Sequence, residues 1–104
     1  MKFGLAIEAL KEGKMVAREG WNGKGLFIFM QVPSNISMDI VPNMQSLPQS
    51  VKDEFAMRRQ AHSKPEDAFI SYSNQLAMVY PDNSIYGWVA SPSDVLEEDW
   101  TIVS

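Results

Sequence analysis

Two short stretches hold the residues best suited to chemistry. "VAREGWNGKGLFIFM", Val16 to Met30, brings Arg18, Trp21, Asn22 and Lys24 close together, and "YGWVASPSDV", Tyr86 to Val95, carries Trp88, Ser91, Ser93 and Asp94. Aromatic faces of the kind Trp21 and Trp88 offer stack on bases, at about 1–3 kcal/mol per base. A helix starting after Ser91 would present free backbone N–H groups and a positive dipole end to a phosphate or a ribose hydroxyl, with Ser93 in the same first turn. Asp94 opposes a phosphate placed directly there, but a carboxylate accepts well from ribose hydroxyls or an adenine amino group. Arg18 and Lys24 are placed to neutralise a pyrophosphate. Each residue also has a plainer use: the tryptophans as core, Asn22 as a turn former, Ser91 and Asp94 as a helix cap. Together they describe a nucleotide pocket.

Catalytic constellations are weaker. Ser91 and Ser93 have no obvious histidine base, because the single His62 lies in the polar connector "HSKPEDA". One His and no Cys leave no zinc site of nitrogen and sulfur ligands and no thiolate chemistry. "GWNGKG" lacks the GxxxxGK[ST] frame of a phosphate loop, and the acidic group "EEDW" reads most simply as a solvated helix face. A binding protein without catalytic residues, metal or cofactor is the expectation.

A net charge of −4 argues against a nucleic-acid polymer as partner, since such proteins carry a broad basic face. The distribution is uneven. Five of the nine cations (Lys2, Lys11, Lys14, Arg18, Lys24) lie in the first 24 positions, while none follows Lys64 and seven acids do. Either the two ends pair across the folded domain, or the N-terminal cations build a small local anion site. The longest apolar run, "GLFIFM", is too short to span a bilayer, and no basic-then-apolar leader opens the chain. With cysteine absent, a soluble protein in a reducing interior is expected.

The elements that must position these residues follow from periodicity and turn chemistry. Phe3, Ala6, Ile7 and Leu10 mark one face of an N-terminal helix, with Gly13 as its stop. "MVAR" predicts a strand, Asn22-Gly23 a type I′ hairpin turn, and "LFIFMQV" the returning strand. Residues 33–46 predict a loop. Ser46 and Gln49 match a capping box opening a helix through Gln60, with Leu47, Val51 and Phe55 on its apolar side. "AFISYS" and "QLAMVY" predict strands, and Pro81 to Ser84 a turn into "IYGWVA". Ser91 then caps a short helix with Pro92 at its first position, and "DWTIV" ends the chain as a strand. The expected class is α+β, a small antiparallel sheet with three helices in a single domain over 1–104.

"ALKEGKMVAREGWNGKG" and "YGWVASPSDVLEEDWTIV" resemble the two ends of the second family of Thoeris anti-defence proteins, small phage and prophage proteins. The family pattern is an amphipathic helix followed by GKxVxRxGWNGK, then PWxxSxxDxLAxDW and a short apolar tail. The likeness covers about the first 30 and last 20 residues, and Trp21, Asn22, Trp88, Ser91 and Asp94 fall on motif positions. Tyr86-Gly87 stands where Val-Pro often precedes the tryptophan, Pro92 where Gln is common, and Glu97 where Ala is common. The resemblance implies a homotetramer in the cytoplasm of the bacterial host that binds cyclic ADP-ribose isomers made by TIR-domain proteins and holds them uncleaved. Some members of the family that the chain resembles also hold cyclic dinucleotides, a second ligand class, at a separate site. Two rivals remain open at this point: an adaptor that uses exposed aromatics on a protein partner, and a hydrolase of the same nucleotide with Asp94 or Glu98 as base.

Overall fold

A computed structural model describes residues 1–21 and 23–103. They form two compact units, Met1–Val32 with Asn74–Ser104, and Pro33–Ser73.

The first unit begins with helix α1 (Phe3–Lys11), which buries Ala6, Ala9 and Leu10 and rests Phe3 and Ile7 on the same cluster. Its end is local chemistry. Gly13 takes φ +87°, and the N–H groups of Gly13 and Lys14 return to Leu10 and Ala9 O at 3.0 and 3.1 Å, a left-handed termination that favours glycine. Strands β1 (Met15–Arg18), β2 (Phe27–Gln31), β5 (Gln75–Val79), β6 (Ile85–Gly87) and β7 (Trp100–Val103) form an antiparallel sheet ordered β6-β5-β2-β1-β7. Its core holds Val16, Ile28 and a fully buried Trp100 against α1. Helix α3 (Pro92–Leu96) precedes β7, and the last strand takes a sheet edge beside β1.

In the Pro33–Ser73 unit, β3 (Ser34–Ser37) and β4 (Phe69–Tyr72) pair as a separate two-stranded sheet, and helix α2 spans Gln49–Gln60. A small core of Met38, Val41 and Ala68 is flanked by Ile36, Met44, Leu47, Phe55 and Ile70.

The α+β class stands as expected, and three local expectations are corrected. First, β1 and β2 do form a hairpin, but a two-residue turn does not join them. After Arg18 the chain makes a 3₁₀ turn over Glu19–Trp21, then runs through positive-φ Gly23 and Gly25 before Phe27, with Val16 opposite Ile28. The side chain of Trp21 packs on Trp100, and that contact takes the backbone out of the ladder early. Asn22 itself lies outside the described residues. Second, residues 33–46 contain β3. Its sequence "SNIS" has one apolar residue, and its partner lies beyond α2, so no local signal marks it. Third, Ser46 does not cap α2. The helix starts at Gln49 after an extended Pro48 (ψ 151°), with no side-chain cap bond. A cap at Ser46 would require Leu47 to be helical immediately before a proline, which the proline ring disfavours.

Candidate functional site

The site is assembled by the pairing of the first and last strands of the sheet. In the β1–β7 register Arg18 faces Trp100, which brings Asp99 beside the arginine, and Glu19 N–H donates to Asp99 O at 2.9 Å. Arg18 grips Asp99 with two donors, Nε to Oδ1 at 3.0 Å and Nη2 to Oδ2 at 3.4 Å. Its Nη1 donates to Asp94 Oδ1 at 3.0 Å. The three side chains are 20%, 29% and 14% exposed for Arg18, Asp99 and Asp94, so these pairs are sheltered rather than solvated.

Asp94 is held from a second direction by its own helix. Ser91 N–H and Oγ–H both donate to Asp94 Oδ2, at 2.9 and 2.8 Å, and Asp94 N–H returns to Ser91 Oγ at 3.2 Å, completing the expected capping box. Ser93 Oγ lies 3.1 Å from Ser91 Oγ. The indole N–H of buried Trp100 donates to Asp94 O at 2.8 Å, which locks α3 to the core. Burial works to raise the Asp94 pKa, but the hydrogen bonds from Ser91 and the Arg18 guanidinium outweigh it and hold the carboxyl below its ordinary 3.8. The two carboxylates, with Asp99 hydrogen bonding first, raise the pKa of Arg18.

Trp100 is also the hub of the aromatic residues. Its ring lies 5.4 Å from Phe3, 5.5 Å from Trp21 and 5.9 Å from Trp88, and the two tryptophans meet it edge-on at 83° and 81°. Trp21 and Trp88 are half-buried: each gives part of its ring to the core and keeps part at the surface. Lys24 is exposed on the loop after Trp21.

Of the residues singled out in the sequence, Arg18, Trp21, Trp88, Ser91, Ser93 and Asp94 therefore form one connected cluster around Trp100. Lys24 shares the hairpin loop but contacts none of the polar cluster among the described residues. The Arg18–Asp94 and Arg18–Asp99 pairs, with Lys2–Glu98 at 3.8 Å, realise the pairing of basic start with acidic end. Asp99 is the member of this polar cluster that sequence reasoning missed. It stood inside an acidic run, and only the β1–β7 register distinguishes it from its neighbours.

Hydrogen-bond capacity sets what the cluster can do. Three of the five N–H donors of an arginine are used, so Arg18 keeps two for another acceptor. Asp94 accepts three bonds of the roughly four a carboxylate can take. The cluster is thus a preformed polar frame with a few open positions, flanked by two partly exposed indoles.

The comparisons cover the same residues and more. The family described as the Thoeris anti-defense 2-like domain matches residues 1–103. The chain belongs to the Thoeris anti-defense 2-like family. Thoeris anti-defense 2 of Bacillus phage SP01 is 34% identical over 104 residues, covering 100% of this chain and 96% of that protein. Likeness to the Thoeris anti-defense 2-like family therefore extends through the middle of the chain, where the motifs alone gave no alignment. Family and relative support an anti-defence role. No helix among the described residues is long and apolar enough to cross a membrane.

Proposed function

We propose that the protein is a sponge: it binds a cyclic ADP-ribose-type immune signal and holds it without cleaving it. The observation that carries this reading is the convergence of both motif-bearing ends on Trp100, since residues with no local reason to meet are joined into one rigid frame. In this reading Trp21 and Trp88 stack on the base. The two open donors of Arg18, with Lys24, take the phosphates. Ser91, Ser93, Asn22 and the remaining acceptor position of Asp94 meet ribose hydroxyls or the adenine amino group.

The Arg18–Asp94–Asp99 group carries a net negative charge, so it cannot attract a pyrophosphate alone. A homotetramer that brings a second subunit to the frame solves this. Val89 and Leu96, 90% and 78% exposed beside the motif residues, supply apolar surface for such assembly. Asp94 is disfavoured as the base of a hydrolase, because hydrogen bonds from Ser91 and Arg18 lower its pKa and occupy three of its acceptor positions.

The test is to incubate the protein with cyclic ADP-ribose isomers, remove unbound nucleotide, denature the protein by heat and chromatograph what is released. Intact ligand supports the sponge, cleavage products would make the protein a hydrolase, and failure to deplete the ligand would leave the adaptor. Light scattering on the same sample should give a mass well above 11.7 kDa.

A further inference from the structure

The Pro33–Ser73 unit contains a cavity of about 400 Å³ that the site above does not use. Its apolar wall is Met38, Phe55, Phe69 and Ile70, the open side of that unit's own core. Its polar rim is Arg58, Arg59 and His62, and none of its lining residues is acidic. That balance is unusual in a chain of net charge −4. We propose that this cavity is a second small-molecule site, for a compound with a flat apolar body and one carboxylate or phosphate.

The rim is built for an oxyanion. Arg59 is only 29% exposed, and its plane is fixed by Nε donating to Pro65 O at 2.8 Å and Nη2 to Asp39 Oδ1 at 3.2 Å. Those two bonds leave three donors on an oriented guanidinium, the arrangement suited to bidentate recognition of carboxylate or phosphate. Arg58 is 73% exposed and touches Glu54 at only 3.9 Å, an ion pair loose enough for a bound anion to displace. His62 Nδ1 accepts from Lys64 N–H at 3.0 Å, which leaves Nε2–H as the donor of that ring. The wall asks for the apolar half: Phe69 is 56% exposed, a large aromatic surface at the mouth of a cavity within the usual size of ligand sites. A bare anion would leave the wall wet, and a neutral aromatic would leave the three spare donors of Arg59 unused.

The experiment is calorimetric titration of the full chain with 1-naphthyl phosphate, with inorganic phosphate and 1-naphthol as its two halves. Saturable binding is expected for the whole probe, with both halves at least about tenfold weaker and with binding falling as salt rises. Arg58→Gln and Phe69→Ala change exposed side chains, so both variants should keep the parental melt and each should weaken the probe about tenfold or less. The proposal is overturned by absence of saturable heat at millimolar probe. It is equally overturned if 1-naphthol or inorganic phosphate binds as well as the whole probe, or if affinity is unmoved in both variants.

Discussion

In the sheet unit a fully buried tryptophan is packed by three other aromatic rings and tied through its indole N–H to the carbonyl of Asp94, while the carboxylate of that same residue closes an ion pair with Arg18. In the Pro33–Ser73 unit the core is Met38, Val41 and Ala68, and α2 has no fully buried residue at all. Its fixed polar contacts, such as Arg59 to Asp39 and Lys52 to Pro42 O, lie at the surface. The first unit couples its polar frame to its core, so the frame is as rigid as the core beneath it. The second leaves apolar surface beside one fixed cation, Arg59, and one loosely held one, Arg58. One arrangement suits a preorganised site, and the other a cavity that adapts to its occupant.

The contrast breaks if core substitutions cost the same in both units. Trp100→Ala should lose about 3–5 kcal/mol in chemical denaturation, because it empties a close-packed position and strands the Asp94 carbonyl. Val41→Ala should lose about 2 kcal/mol, from a smaller cavity in a thinner core. Equal losses would mean that the core of the second unit is packed as closely as that of the first.

Next in size is the polar frame. Asp94→Asn keeps the shape but removes the charge that Arg18 and Ser91 recognise, and should cost about 1–2 kcal/mol at neutral pH. Because the folded pKa of Asp94 lies below 3.8, its contribution is present above that value and is lost as pH falls through the folded pKa. Melts from pH 6 to about pH 2 should therefore show a steeper acid decline in the parent than in the variant. Parallel profiles would uncouple the frame from stability.

The cap comparison sharpens the same point at smaller scale. Ser91→Ala removes an engaged N-cap and should cost about 1 kcal/mol. Ser46→Ala touches a serine that caps nothing and should stay within about 0.5 kcal/mol of the parent. Both are read from the same denaturation series, and a cost at Ser46 matching that at Ser91 would restore the capping box that the backbone of Pro48 argues against.

What the sequence determined by itself was whatever is decided within a turn or two of chain. The face of α1 and its stop at Gly13, the strands "MVAR" and "LFIFMQV", and the Ser91–Asp94 cap of α3 were legible because each depends on neighbours three or four residues away. The helix through Gln60 was legible, and so was its start, since Pro48 disfavours the helical Leu47 that a cap at Ser46 requires. The cap spacing of Ser46 and Gln49 pointed the other way. The motif residues were named in advance, as were two ends of opposite charge. That Arg18 takes Asp94 and Asp99 rather than other acids, that Trp21 leaves the hairpin ladder for Trp100, and that "SNIS" is a strand were decided only by tertiary structure. Each rests on a pairing between distant segments, whose register is fixed by what the whole face can bury and not by the residues that happen to be paired.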